Sequence, residues 1–437
     1  MKDLGKLLLK EFGIVIICAI LGVAALAITY LIPQENMYEN VKESARVLHN
    51  EGLGAHVWET ISETMLDNYT DGLMVNVSYT ETDDGIRDFL LDTWVEVDRN
   101  THGINPMESL YEMIDLANDD YHINNYGRYW HGYQIILRPL LCFYTYADIR
   151  QINMTLQVMV VFILLYILIK SGNTKFLLPF WGMYVFLSPV TVFSSLQYSA
   201  CFYAMMLALI VLFGLRKYLN DINRNYLFLL VGIMTAFFDL LTYPFITLGV
   251  PLIAYLASDD ECLMSVKKGI KEILFYTISW GIGYVGMWVS KWIIASILTE
   301  ENVIANAIEQ FKYRSGHFSH RQTWISTVRL NFNACNTKVL FIFLIAIVVY
   351  FIIIGIRNHR SINKKLLPCT AVILFVSLYP FLWYFFTMNH SSDNSYFTWR
   401  ELGISVFGIL TIGDINLQRE NICPKQPVEV VADNGTD

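Results

Sequence analysis

Apolar residues fall along this chain in long runs rather than in strict alternation. A run of about 18 residues or more is long enough to cross a hydrocarbon core. By length and apolarity about ten spans are expected, at 12–32, 152–169, 176–195, 198–215, 226–241, 242–257, 272–298, 338–356, 366–387 and 399–413. The stretch 226–257 is apolar throughout and is divided at Thr242-Tyr243-Pro244, because proline cannot donate to a helix ladder and disfavours helix in the residue before it. The run from Phe12 to Ile32 has the basic flank of a signal peptide. It exceeds the usual apolar core of one, and no small-x-small cleavage site follows, so it reads as a retained first span.

The polar positions between the runs orient them. Lys2, Lys6 and Lys10 precede the first span and place the N-terminus in the cytoplasm. Every second loop is then basic: Lys170 and Lys175; Arg216, Lys217 and Arg224; Lys267, Lys268 and Lys271; Arg357, Arg360, Lys364 and Lys365. This alternation puts both termini inside and supports the division at Pro244.

Residues 33–151 form one long outer segment, in which acids outnumber bases roughly three to one. Ile86, Phe89, Leu90, Thr93, Trp94 and Val97 are spaced as the stripe of one amphipathic helix, with Asp83-Asp84 before Gly85 as its cap. Asn105-Pro106-Met107-Glu108 has the form of a capped helix start, followed by the apolar face Met107, Leu110, Met113, Ile114 and Ala117. The expected fold is therefore all-α. It has a first span (1–32), an outer segment (33–151) of amphipathic helices lying on the membrane surface, a polytopic transmembrane bundle (152–417) with an outer loop (299–337), and a polar cytoplasmic tail (418–437).

Composition agrees with a membrane-embedded chain. Of 437 residues 54% are hydrophobic and 16% charged, against about a quarter charged in soluble domains. The net charge of −8 is unevenly spread, and no basic cluster exceeds the short groups flanking spans, so no nucleic-acid partner is indicated. The seven cysteines are scattered, without the spacing of a zinc site or a disulfide framework.

Candidate chemistry gathers on the outer side. In the stretch Leu66-Asp67-Asn68-Tyr69-Thr70-Asp71, two acids stand four apart and share a helix face, where like charges repel. Asp67 reads either as functional or as a surface acid or cap. Asp71 precedes an apolar turn of chain that implies partial burial. Asp239 lies in an apolar run, where an ionisable residue is functional by default, or else caps the turn before Pro244. Arg128, Trp130, His131 and Arg138 are interleaved with tyrosines, which suits a sugar or a phosphate better than a simple aromatic belt. Arg321, His390 and Arg400 complete the set; Arg400 reads as a snorkelling anchor or a phosphate clamp. The histidines lack tight metal spacing, so zinc is not indicated, although a divalent cation such as Mg or Mn remains an option at Asp239.

One long outer loop with an acidic motif near its start, one span before it and about ten in all resembles the GT-C superfamily of integral-membrane glycosyltransferases. Phe237-Phe238-Asp239-Leu240-Leu241-Thr242-Tyr243-Pro244 is similar to a stretch in bacterial type II O-antigen glucosyltransferases. The acid spacing departs from that family, whose paired acids are adjacent or one apart. The resemblance implies a polyprenyl-phosphate-linked sugar donor and a glycan or lipid acceptor. It also implies an active site on the outer face of a bacterial inner membrane, with Asp71 as first choice of general base and Asp67 as second. A lipid-linked glycan transporter or flippase, and a polysaccharide polymerase or ligase, are the alternatives.

Overall fold

The computed structural model describes residues 2–99, 102–317, 322–335 and 367–418, with the single positions 345 and 349. The expected span 338–356 (apart from 345 and 349), His320, Arg321, the basic residues from 357 to 365 and the tail beyond 418 lie outside the described residues.

Helix dominates. Among the described residues five helices are long and apolar enough to cross a membrane: Gly5–Thr29, Tyr146–Lys170, Leu196–Gly214, Val266–Thr299 and Leu367–Phe386. Each matches an expected span. Other expected spans are shorter helices. Residues 176–195 divide into Leu177–Phe186 and Pro189–Ser194, joined at Ser188 in a left-handed conformation (φ +56°). The stretch 226–257 divides into Asp221–Phe238 and Ile246–Leu256, with the break falling at 239–245. Residues 399–413 form a turn at Trp399–Leu402 and the helix Gly403–Gln418.

The Ile246–Leu256 helix is buried on every side, between Leu196–Gly214 and the Leu367–Ser377 and Gly403–Gln418 helices. A helix apolar all round has no solvent face to offer, and it takes the centre. The first helix instead leaves Ile16, Ile17, Ile20 and Leu21 exposed, an outward apolar surface suited to hydrocarbon. The closest pair is Asp221–Phe238 against Val266–Thr299. A Cβ on Gly232 would stand 2.2 Å from the Trp280 carbonyl oxygen, and one on Gly283 2.2 Å from that of Leu229. Small residues let these two backbones touch. One turn away, Glu11 accepts hydrogen bonds from Asn225 and Ser279 and fastens the first helix to both.

The segment 33–151 folds into a small layer of its own. Helices Tyr38–Glu51, Asn68–Tyr79 and Pro106–Ile114 pack on one another around Val41, Leu48, Met74, Val75, Met107 and Leu110. A Cβ on Gly72 would come within 2.9 Å of Met107 Cα, so glycine there permits the crossing. The capped starts hold: the Asn105 side chain accepts from Glu108 N (3.0 Å) and Asp84 from Arg87 N (3.3 Å).

The single amphipathic helix expected over 86–97 does not form, which corrects the all-α expectation. A helix runs over Gly85–Leu91, Asp92 turns left-handed (φ +51°), and Trp94–Arg99 becomes the central strand of a three-stranded antiparallel sheet. His102–Gly103 pairs on one side (Asp98↔Gly103) and Tyr121–Asn124 on the other (Val95↔Ile123). Thr93-Trp94-Val95-Glu96-Val97 is β-branched and aromatic with alternating polarity, and Val95 and Val97 bury against the Pro106–Ile114 helix. Those residues satisfy either period; the strand wins because it finds two partners.

Two buried cations dock this layer on the long helices. Lys291, inside Val266–Thr299, bonds Asp92 at 2.9 Å with both side chains inaccessible. Arg138 donates to the carbonyls of Thr29 (3.2 Å), Ile32 (3.2 Å) and Ser78 (2.7 Å) and pairs with Glu81.

Candidate functional site

Asp67 and Asp71 occupy the first turn of the Asn68–Tyr79 helix, Asp67 as its N-cap, with one carboxylate oxygen accepting from Thr70 N at 3.1 Å. The positive end of the helix dipole offsets the repulsion that the four-residue spacing creates. Both side chains are buried, and they do different things.

Asp71 is saturated. Its Oδ2 accepts from the Tyr146 phenol, Ser195 Oγ (2.9 Å) and Leu196 N (3.1 Å), and its Oδ1 from Gln197 N (2.9 Å). Ser195 stands at the N-cap of Leu196–Gly214, yet its side chain makes no capping bond there. The carboxylate of Asp71 supplies that cap from another element, filling N–H groups a helix cannot satisfy itself. Three helices thus meet on one side chain. Burial lifts the Asp71 carboxyl above its ordinary range, opposed by the Tyr146 phenol, the Arg150 charge and the other donors.

Asp67 is not saturated. Its Oδ2 is buried and takes no well-formed hydrogen bond among the described residues, although the Thr70 and Tyr396 hydroxyls stand close enough to the carboxylate to interact with it. Burial, reinforced by the charge of Asp71, raises its pKa to about 7. Arg400 shares this enclosure. Its guanidinium lies 4.4 Å from the Tyr198 ring and 4.7 Å from the Trp399 ring, with Nε donating to the Leu187 carbonyl (3.1 Å) and Nη1 to that of Tyr396 (3.4 Å). Among the described residues its Nη2 finds no partner, nor does the Tyr198 hydroxyl, nor Gln197 Oε1. Asp67, Tyr198, Tyr396 and Arg400 act on one another electrostatically. A buried polar atom without a partner costs about 1–3 kcal/mol. Several in one enclosure, a carboxylate oxygen, a phenol and a guanidinium N–H, describe a site prepared for a polar ligand.

An apolar groove of about 420 Å³, lined by Met74, Tyr133, Leu137, Ile152, Leu196 and Phe238 among others, runs near Asp71. Met74 is one turn beyond Asp71, and Leu196 is the residue whose N–H Asp71 holds. The groove therefore passes next to Asp71.

A second group is built on residues 126–133. The Tyr126 and Tyr129 rings stack at 5.3 Å, Arg128 lies 4.2 Å over Tyr126, and Arg314, in the last turn of Val303–Ser315, donates to the Tyr129 hydroxyl. His131 (φ +47°) meets the Tyr133 hydroxyl through Nδ1 at 2.7 Å. Burial and the charges of Lys291 and Arg128 hold its ring well below the usual histidine range, so it is neutral. Trp130 is structural, donating to the Met287 carbonyl (2.7 Å) and packing on Phe237. Gly132 permits this approach: a Cβ there would sit 2.5 Å from the Phe237 carbonyl oxygen.

The turn after Asp221–Phe238 lies between the two groups. Asp239 accepts from Thr242 N (3.0 Å) and from the Thr242 hydroxyl, closing a tight turn. Leu241 takes φ +68°, a conformation costly for a branched residue, and its carbonyl meets His390 Nε2 at 2.7 Å. Burial and the Arg314 charge lower His390 to about 3, so it too is neutral.

Comparison with protein-family models, curated proteins and solved structures finds no match to this chain. The geometry must speak for itself.

Of the sequence candidates, Asp67, Asp71 and Arg400 come together. Arg128, His131 and His390 stand around the second group. Asp239 closes a turn between them, and Arg138 lies apart, its guanidinium taken up by backbone carbonyls and Glu81. Residues that sequence reasoning passed over include Tyr198, Gln197 and Ser195, which were absorbed into an apolar run. Ser195-Leu196-Gln197 has the polar start expected of a helix N-terminus, which was the available signal. The parts played by Arg314, Lys291 and Asp92 emerge only from the structure. Among the described residues no group of three or more His, Cys, Asp or Glu side chains is gathered to hold a metal ion.

Proposed function

We propose that this chain is a polytopic membrane glycosyltransferase of about ten spans. It would move a sugar from a polyprenyl-phosphate donor to a hydroxyl of a glycan or lipid acceptor, on the outer face of a bacterial inner membrane. The observation that supports the proposal is that Asp67, whose Oδ2 lacks a hydrogen-bond partner among the described residues, and Arg400, whose Nη2 lacks one too, are both buried and feel one another's charge, with an apolar groove running past the neighbouring Asp71.

In this reading the isoprenoid tail lies in the groove and its phosphate reaches Arg400 Nη2 and the Tyr198 hydroxyl. Asp67 takes the proton from the acceptor hydroxyl as its oxygen attacks the anomeric carbon. The bond from that carbon to the phosphate oxygen breaks, and the electron pair leaves with the phosphate. Charge develops there in the transition state, and the guanidinium and phenol are already placed to receive it. A base with a pKa near 7 combines availability with driving force. Asp67 thus replaces Asp71 as first choice, because Asp71 already accepts four hydrogen bonds that tie three helices together. Transport is the less favoured reading: Lys291, the embedded cation it would call on, is already neutralised by Asp92.

The test is transfer from a polyprenyl-phosphate-linked sugar by the purified protein in nanodiscs. Asp67→Asn should reduce turnover by about 100-fold or more while elution and helix content stay those of the parent. Full turnover in that variant would sink the assignment.

A further inference from the structure

The buried and half-buried cations of this protein are mostly matched by carboxylates. Lys291 has Asp92, Arg138 has Glu81 and Arg150 has Glu51. Arg128 and Arg314 break the pattern. They come from distant parts of the chain, are both half-buried and share one pair of tyrosine rings, and among the described residues neither has a carboxylate within salt-bridge distance.

Both guanidiniums are held in place without being neutralised. Arg128 stacks 4.2 Å over Tyr126, and its Nη1 donates to Asn306 Oδ1 at 3.2 Å. Its backbone is pinned by Trp292, whose indole donates to the Arg128 carbonyl at 2.8 Å. Arg314 lies 5.5 Å over Tyr129 and donates to its hydroxyl. Trp288 packs edge-on against Tyr129 at 4.9 Å and stiffens the platform. Each guanidinium has five N–H donors, and the partners they meet are neutral groups, Asn306 and the Tyr126 and Tyr129 phenols; Arg128 Nε is buried with no partner among the described residues.

The surrounding charges do not balance this pair. Asp239 acts on Tyr129, but its oxygens are committed to Thr242. Lys291 is cancelled by Asp92, and His131 and His390 are held neutral. The phenol of Tyr126 feels the excess: Arg314 and Arg128 draw it below the ordinary tyrosine range despite its burial. Two like charges fixed on one platform repel, and an anion between them would relieve that.

We propose that Tyr126, Arg128, Tyr129 and Arg314 form a second oxyanion site, separate from Arg400, that takes a phosphate group. Two preorganised guanidiniums match the several oxygens of a phosphate better than a single carboxylate would. The phosphate comes either from a lipid headgroup or from a soluble or acceptor-borne phosphate. The site stands on its own geometry and does not depend on the transferase reading.

The experiment titrates inorganic pyrophosphate into the full chain in phosphatidylcholine nanodiscs, following the thermal midpoint and tyrosine and tryptophan fluorescence. A saturable response is expected, weakened at least about tenfold in Arg128→Gln/Arg314→Gln and partly restored in Arg128→Lys/Arg314→Lys. Arg128→Gln alone, at a half-exposed position, serves if the double variant fails to fold. The part of the response that depends on Arg128 and Arg314 is read in binding, whereas the transfer reading is read in the turnover of Asp67→Asn, so failure of this site and failure of the transfer reading are told apart. Nanodiscs containing phosphatidylglycerol separate the sources. Competition with pyrophosphate there identifies a lipid headgroup, and an unchanged response identifies a soluble or acceptor-borne phosphate. No saturable response in the parent protein, or an equal one in Arg128→Gln, overturns the proposal.

Discussion

In the proposed transfer, Asp67 carries its role and its cost on the same carboxyl group. Its carboxyl titrates near 7 because burial and the Asp71 charge oppose ionisation. A base must be ionised to accept a proton, so transfer should fall about tenfold for each pH unit below 7. A pH–rate profile flat from 5 to 8 would contradict that role. Stability runs the other way. The folded-state pKa lies above the unfolded value, so the fold favours the protonated form, and that stabilisation is complete below about pH 4 and is lost as pH rises through 7. Asp67→Asn keeps an acceptor for Thr70 N but carries no charge. It should therefore be at least about 1 kcal/mol more stable than the parent at pH 8 and equal to it near pH 4, as thermal midpoints at the two pH values would show. A residue whose removal stabilises the fold while abolishing turnover is placed for chemistry.

At the scale of elements, Asp71 is the counterpart. It caps the Leu196–Gly214 helix and receives Tyr146 from the start of Tyr146–Lys170. Asp71→Ala leaves two backbone N–H groups and two hydroxyls without their acceptor, at a cost of roughly 3 kcal/mol or more, read as a lower denaturation midpoint. Turnover per folded molecule should survive better than in Asp67→Asn. The helix pair Asp221–Phe238 and Val266–Thr299 depends on contact rather than charge. Gly283→Leu would drive side-chain atoms into the Leu229 carbonyl and the Ile233 amide, so the helices must separate. Loss of monodisperse protein in detergent is the expected outcome, whereas Gly281→Leu, where a Cβ meets nothing within 4 Å, should be tolerated.

For the molecule as a whole, the question is what seats the 33–151 layer on the long helices. Asp92 and Lys291 are both inaccessible, and their pairing joins the two parts. Lys291→Met strands a buried carboxylate and should cost about 3–5 kcal/mol, while Lys291→Met with Asp92→Leu should recover much of it. A double-mutant cycle on denaturation midpoints measures this; additive losses would mean that the pair does not hold the parts together. The membrane orientation can be tested in a cysteine-free background. Trp58 is half exposed, in the segment read as outer, and Tyr218 is exposed in a loop read as cytoplasmic. Cysteines at these two sites should react with an impermeant thiol reagent from opposite sides of sealed vesicles.

Much of this was legible along the chain, because burial of a helix in hydrocarbon demands a long uniform run, and a uniform run needs no partner to be recognised. The five long helices, the break after Phe238 and the caps at Asp84 and Asn105 are local facts of that kind. What the sequence could not decide was any choice that depends on a distant partner. Trp94–Arg99 satisfies both a helical and a strand period, and only pairing with Tyr121–Asn124 and His102–Gly103 selects the strand. Asp67 and Asp71 look alike in sequence. They differ because the N-terminus of Leu196–Gly214 arrives beside Asp71 and donates to both its oxygens, while Asp67 Oδ2 takes no such bond among the described residues. Likewise Arg138 and Arg400 are both buried arginines, but only the first was brought to a carboxylate. Periodicity is a property of neighbours in the chain, whereas the vacancy of a hydrogen-bonding group is a property of whatever the fold sets against it.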